Sequence, residues 1–324
     1  MKGKPGPATA FLRPILDTYR DSAVALVGCR ARGLDRYSCE YDVIVVAGAK
    51  LPTTSLRIGD VYVDLAFSSE SEVLKPGNPE HSIALAHSRP IRDTNLVLST
   101  SAAANAAVLP ESARKASRAR LASALKTLGR AEEALAKKNS TEADFWLVAA
   151  SYEFGYAWLL SREVLPSPSH LLSQLRSASK GASRGFEGFS MGAGLESAGR
   201  AGCGARLEAT TVLHDLLRAK PEAGTAANRW PSTRTDILSA KAHELMTRVE
   251  LAECYSFLGQ EMVDDFMALA AQRTNGNIGA LASGSDRLLG ERLVRQLGLA
   301  RNDKSLKAAL DAVKKQSSAL ARRG

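Results

Sequence analysis

Residues 24–65 read VALVGCRARGLDRYSCEYDVIVVAGAKLPTTSLRIGDVYVDL, and this stretch decides the fold of the first part of the chain. Its VALV and VIVV runs are short, rich in β-branched residues and bounded by glycine and polar residues, as buried strands are. Because side chains alternate faces along a strand, Glu40 and Asp42 are expected to point the same way. Asp64, in the VYVDL run, can join them from a neighbouring strand. The pattern therefore predicts three carboxylates beside the turn at Gly28 in one compact α/β unit.

The length of the chain predicts two domains. It has 324 residues, which is more than one hydrophobic core usually serves. Strand-like runs end near Leu98, and the sequence beyond is rich in alanine, leucine, lysine, arginine and glutamate at helical spacing. We therefore expect an α+β fold, with a small mixed β-sheet domain at residues 1–98 followed by an all-α helical bundle at residues 99–324.

Several helices are predicted outside the sheet. An opening helix is expected at Ala8 to Arg20, and a buried aromatic helix at Ala143 to Leu165. The tryptophan and tyrosine residues of this aromatic helix favour a core, with stacking on a base as the alternative. The glycine- and serine-rich segment 177–204 predicts a loop followed by a helix. One amphipathic stretch is expected at Thr235 to Phe266, and a basic final helix at Lys304 to Arg322.

The net charge of +9 is unevenly spread along the chain. Residues 1–100 carry +1 and residues 101–324 carry +8. A solvated, lysine- and arginine-rich helical surface is favoured, because the basic residues lack interleaved aromatics. A surface that steers an anionic partner such as a nucleotide or RNA remains the alternative.

Composition points to the cytoplasm. The four cysteines have neither the spacing of a zinc site nor the density of a disulfide scaffold, and the five histidines show no metal-ligand spacing. No apolar run approaches the roughly 18 residues that a membrane helix needs. The N-terminal MKGKPGPATAF is not followed by the apolar stretch of a signal peptide. A cytoplasmic protein with no membrane partner is therefore expected.

Three blocks carry a family resemblance. They are Val27-Gly28-Cys29, Glu40-Tyr41-Asp42-Val43 and Val63-Asp64-Leu65, in that order along the chain. This arrangement resembles the DNA polymerase beta-like nucleotidyltransferase superfamily, in which a glycine turn precedes an acid-apolar-acid motif and a later acid. The Arg30-Ala31-Arg32-Gly33 stretch is similar to that of the minimal, stand-alone branch.

The resemblance implies an activity and a cofactor. Such an enzyme moves a nucleoside monophosphate, with AMP expected, from a nucleoside triphosphate such as ATP to a hydroxyl acceptor, and releases pyrophosphate. The implied cofactor is a pair of Mg²⁺ ions, which prefer carboxylate ligands. Glu40 and Asp42 would hold the metal that carries the triphosphate. Asp64 would help to bind the catalytic metal and would activate the acceptor hydroxyl.

The glycine turn is implied to bind the nucleotide. Gly28 would let the backbone approach the phosphates, and the amide groups of the turn, including that of Cys29, would donate to anionic oxygens. Arg30 or Arg32 would neutralise phosphate charge, and only one of them needs to face the site.

Two departures from the family pattern keep other functions open. Cys29 replaces the usual serine or glycine and is a poorer hydrogen-bond donor than serine, and Glu40 is one methylene longer than the commoner aspartate. A catalytically weakened nucleotide-binding or antitoxin-like protein is therefore one alternative. An RNA-directed nucleotidyltransferase that uses the +8 helical half is another. The sequence does not decide whether the acceptor is a small molecule, RNA or protein, or whether the chain forms a homodimer.

Overall fold

Five strands form one mixed sheet. They are β1 (Ala23–Val27), β2 (Tyr41–Val46), β3 (Thr54–Ile58), β4 (Val61–Ser68) and β5 (Arg89–Arg92). The strand order is β3-β4-β2-β1-β5, with β2 and β4 parallel and all other neighbours antiparallel. The computed structural model describes residues 8–48, 53–179, 184–219, 232–276, 278–283, 294, 296, 298–299 and 301–322. The predicted α+β fold class is confirmed, although the edge strand β3 was not predicted.

Alternation along the strands gives the sheet two apolar faces. On one face Val24, Val43 and Leu65 pack with Leu12 and Ile15 of α1 (Ala8–Thr18). The opposite face carries the other alternate positions of the strands and is covered by helices that follow β4. The sheet is therefore buried on both sides, as its apolar runs indicate.

The helices on the second face follow one another along the chain. After the short α2 (Gly28–Ala31), they are α3 (Glu70–Leu74), α4 (Pro79–Ala86) and α5 (Val97–Ala107). A capping box begins α3, in which Ser69 and Glu72 satisfy each other's backbone amides. The apolar side chains of Val73, Leu85 and Leu98 cover Ala25 and Ile44 of the sheet. Residues 97–107 thus form a helix that packs on the sheet.

The other helices that the structure describes pack in two further apolar clusters, one large and one smaller. They are α6 (Leu109–Ala136), α7 (Ser140–Leu160), α8 (Leu171–Ala178), α9 (Arg184–Gly192), α10 (Arg200–Ala219), α11 (Ser232–Thr247), α12 (Leu251–Thr274), α13 (Ile278–Ser283) and α14 (Asp303–Ala321). The aromatic helix α7 is buried on nearly every side, as predicted. Among the helices that the structure describes, none combines the length and apolar character needed to cross a bilayer.

Two predictions about these helices are wrong in detail. The expected single stretch at Thr235 to Phe266 is two helices, α11 and α12, separated near Val249, whose φ is 61°. The glycine-rich segment contains the helix α9 where a loop was expected. A Cβ on Gly185 would lie 2.3 Å from the Trp158 ring, and one on Gly192 would lie 1.9 Å from the Ser151 hydroxyl. The glycines therefore permit close helix packing and do not make this part of the segment a loop.

The chain divides into two compact units. One comprises Met1–Ser112 with Pro231–Ile237, and the other comprises Ala113–Trp230 with Leu238–Gly324. The separation of a catalytic domain at residues 1–98 from an accessory or substrate-binding domain at 99–324 stays a prediction about function. The sequence also predicts a helix at Asp286 to Leu299, after the glycines at 276 and 279, and this segment lies largely outside the described residues.

Candidate functional site

Three carboxylates converge at one end of the sheet. Asp42 on β2 lies directly opposite Asp64 on β4 in the parallel register. Glu40 comes just before β2, two residues from Asp42. One carboxylate oxygen from each of the three residues lies within 4.8 Å of the other two, and all three side chains are half-buried. The structure thus brings together the acids that the sequence singled out.

The pairing of the strands explains this convergence. Parallel strands begin at the same edge of a sheet, so residues near the starts of β2 and β4 become neighbours. Asp42 and Asp64 point to the face that carries Ile44 and Ala66, because side chains two apart share a face. Asp60 lies in the turn of the hairpin formed by β3 and β4, and its side chain is 81% exposed.

Gly28 lies against the carboxylate of Asp42. It follows β1, in which Val27 is opposite Asp42, and its φ is 70°. A Cβ at position 28 would lie 2.0 Å from Asp42 Oδ2, far inside van der Waals contact. Two independent requirements, a left-handed backbone and close approach of an acid, therefore favour glycine at this turn.

Ser55 contributes to the site from the edge strand. It lies opposite Asp64 in the antiparallel pair of β3 and β4, and its hydroxyl donates a 2.5 Å hydrogen bond to Asp64 Oδ1. This bond fixes one carboxylate oxygen and so the orientation of the group. Sequence reasoning missed Ser55 because β3, half-exposed and mostly polar, has no strong strand pattern.

Arg30 holds the loop before β2. Its Nε donates to the carbonyl oxygens of Cys39, at 2.9 Å, and Glu40, at 3.1 Å, and its Nη1 lies 3.1 Å from Asp35. The guanidinium carbon lies 4.0 Å from the ring centre of Tyr41, and the side chain is only 7% exposed. Arg30 therefore positions the backbone from which the Glu40 carboxylate extends.

Arg32 is the arginine whose charge acts on the acid cluster. Its Nε donates to the Gly28 carbonyl at 3.2 Å. Burial lowers the pKa of Arg32, while the charge of Asp42 works in the opposite direction. Burial, and then the charge of Arg32, lower the pKa of His87, which follows α4. Arg32 therefore lies close enough to Asp42 for the two charges to interact.

Cys29 is one of two neighbouring thiols. Its Sγ lies within 4.8 Å of that of Cys39; both cysteines are buried and neither forms a disulfide. A hydrogen bond with Cys39, together with burial and the nearby charges of Asp42 and Glu40, raises the pKa of Cys29 well above its usual range. Cys29 is thus a neutral thiol directed at Cys39, a pairing that nothing in the sequence pattern indicated.

Comparisons with known proteins give few matches. Neither a protein-family model nor a curated protein matches the chain. Among solved structures, the chain is similar to a nucleotidyltransferase-like protein from Exiguobacterium sibiricum 255-15. The TM-score is 0.37 and the identity 12%, over 75% of this chain and 92% of that one. At this distance the case for a function depends on the site's own geometry.

Proposed function

We propose that the chain is a metal-dependent nucleotidyltransferase. It would move a nucleoside monophosphate, with AMP as the leading case, from a nucleoside triphosphate to a hydroxyl acceptor and release pyrophosphate. The single observation that carries this proposal is the convergence of Glu40, Asp42 and Asp64 within 4.8 Å of one another. Half-buried carboxylates at this separation repel one another, and a divalent cation between them would offset that repulsion.

The donor set fits Mg²⁺, a hard cation that prefers carboxylate oxygens. Glu40 and Asp42 would hold the ion that carries the triphosphate, and Asp64 would help to hold a second. When bound, the ions would neutralise charge that develops on the α-phosphate.

The residues of the site would have separate tasks during transfer. The acceptor oxygen forms a bond to the α-phosphorus, and the bond from that phosphorus to the bridging oxygen breaks, so pyrophosphate leaves. Asp64 would accept the proton of the acceptor hydroxyl, and Ser55 would keep its carboxylate oriented for this step. Arg32 would supply positive charge to the phosphates, and Gly28, which has no side chain, would let the Asp42 carboxylate lie against the turn.

The test compares two variants that carry the same chemical change. D42N/D64N removes two of the three cluster charges, and D60N removes an exposed acid from the turn of the same hairpin. Each protein is incubated with Mg²⁺ and labelled ATP in the presence of small molecules, RNA and protein from a cell extract. Pyrophosphate is assayed, and acceptors are identified by mass spectrometry. We expect transfer by the wild type and by D60N, and none by D42N/D64N.

Three outcomes would overturn the proposal. Transfer that survives in D42N/D64N would show that the carboxylates are not catalytic. Calorimetric binding of ATP and Mg²⁺ without pyrophosphate release would instead identify a catalytically weakened nucleotide-binding protein. Wild-type protein that binds neither would exclude a nucleotide function at this site. If transfer occurs, labelled RNA ends would identify the RNA-directed alternative.

A further inference from the structure

A polar cleft opens in the helical unit between α6, α7 and α12. Its volume is about 300 Å³, at the lower end of the range for small-molecule sites. All of its lining residues belong to these three helices, and none belongs to the carboxylate cluster. The proposed transfer reaction makes no use of this cleft.

One face of α6 gives the cleft a cationic wall. Ser123, Lys126, Thr127 and Arg130 line it, and their spacing of three and four residues places them along one side of the helix. The span from residue 123 to 130 is about 10 Å at 1.5 Å per residue. The ammonium group of Lys126, the guanidinium group of Arg130 and the two hydroxyl groups on this wall are suited to a phosphate, although Glu153 and Asp264 add two negative charges from the other two helices of the cleft.

Aromatic rings form the floor of the cleft, and arginines cover them. The guanidinium carbon of Arg130 lies 4.6 Å from the ring centre of Trp146, and that of Arg120 lies 5.0 Å from the ring centre of Tyr156. Arg120 is also held by Glu153 at 3.0 Å. Arg130 is exposed, so it is the arginine that can leave its ring for an anion.

A buried acceptor at the floor gives the cleft a further polar group. The side-chain amide of Gln260 donates through Nε2 to the hydroxyl of Tyr156, whereas Gln260 Oε1 is buried and has no hydrogen-bond partner among the described residues. Burial raises the pKa of Tyr156 above its usual value, so its hydroxyl stays neutral. An unsatisfied buried acceptor is costly, and a ligand with an N–H or O–H group would satisfy it.

We propose that this cleft binds a nucleoside monophosphate. Lys126 and Arg130 hold the phosphate, a planar base takes the place of the Arg130 guanidinium over Trp146, and a donor on the nucleoside satisfies Gln260 Oε1. The base of the nucleotide matches the aromatic floor of the cleft, its phosphate matches the cationic wall, and its hydrogen-bond donor matches the buried acceptor. The site shares no residue with the carboxylate cluster and needs no metal.

The experiment measures AMP binding in EDTA, by calorimetry and by tryptophan fluorescence. We expect saturable binding with a Kd of roughly 1 mM or tighter. Adenosine and inorganic phosphate, each of which lacks one half of the ligand, should bind at least about tenfold more weakly. A change of emission that is lost in W146F would place the base at Trp146.

Variants separate this site from the carboxylate cluster. K126A/R130A should weaken AMP binding at least about tenfold. R114A removes an exposed arginine of the same helix that does not line the cleft, and should leave the affinity unchanged. D42N/D64N should also bind AMP normally in EDTA, whatever its transfer activity. The proposal is overturned if wild-type protein does not bind AMP, if K126A/R130A binds as well as the wild type, or if D42N/D64N abolishes binding.

Discussion

Replacing Gly28 with alanine tests whether the glycine turn positions Asp42. The new Cβ would lie 2.0 Å from Asp42 Oδ2, whereas ordinary contact begins at 3.4 Å, so the carboxylate would have to withdraw by about 1.4 Å. A displacement of about 1 Å at a reacting centre can lower a rate by about 10²-fold, which corresponds to an increase of about 2.7 kcal/mol in the activation free energy. The backbone contributes a separate cost of about 1–2 kcal/mol, because φ at this position is 70°.

Gly33 offers a matched control in the same segment. Its φ is 69°, yet a Cβ there would have no neighbour within 4 Å among the described residues. Both G28A and G33A should therefore lower the free energy of unfolding in urea by about 1–2 kcal/mol. Only G28A should weaken the binding of Mn²⁺, used as a calorimetric probe, by at least about tenfold. The rate of pyrophosphate release should follow the metal affinity.

The metal affinities of the two glycine variants test whether Asp42 lies against the turn and holds the metal. Equal Mn²⁺ affinity in G28A and G33A, with both proteins folded, would refute the reasoning. It would mean either that Asp42 does not lie against the turn or that its carboxylate does not hold the metal.

Three further perturbations address the neighbours of the acids. S55A should lower the transfer rate about tenfold and the free energy of unfolding by about 1–2 kcal/mol, because Asp64 loses the hydrogen bond that orients its carboxylate; an unchanged rate in the folded variant would argue against that role. R30M should lower the free energy of unfolding in urea by about 2–4 kcal/mol, because the contacts of Arg30 with the loop are lost. R32M should mainly raise the KM for ATP. The assignments are wrong if R32M is the variant that loses stability and R30M is the one that raises the KM. Burial lowers the pKa of His87 below its usual 6.5. The stability that this shift contributes is therefore fully present above pH 6.5, and it is lost as the pH falls from 6.5 through the lowered pKa. An NMR titration that gives 6.5 or higher would contradict this.

The helical half shows why composition can mislead about local structure. Glycine and serine in the 177–204 segment are typical of loops, yet Gly185 and Gly192 lie in α9. A side chain at either position would collide with Trp158 or Ser151 of α7, which lies in a different part of the chain, so glycine is needed there. Only the packed structure distinguishes a glycine needed for close approach from one needed for flexibility.

The amino-acid sequence is sufficient to identify the strands that carry Asp42 and Asp64 and the glycine turn before them, whereas it does not reveal β3. Because side chains alternate along a strand, the sequence predicted that the side chains of Glu40 and Asp42 point to the same face. The glycine that follows the VALV run indicated a turn at Gly28. These features depend on residues close together in the chain, where backbone geometry and side-chain type are sufficient.

Tertiary structure alone decided which distant groups meet. The parallel register that sets Asp42 opposite Asp64, the hydrogen bond from Ser55 and the pairing of Cys29 with Cys39 all depend on contacts between separate segments. A slip of one residue in the pairing of β2 and β4 would turn Asp64 to the other face, and burial of both faces of the sheet opposes that slip. The physical reason is that strand register is set by the packing of the whole unit, which no local pattern contains.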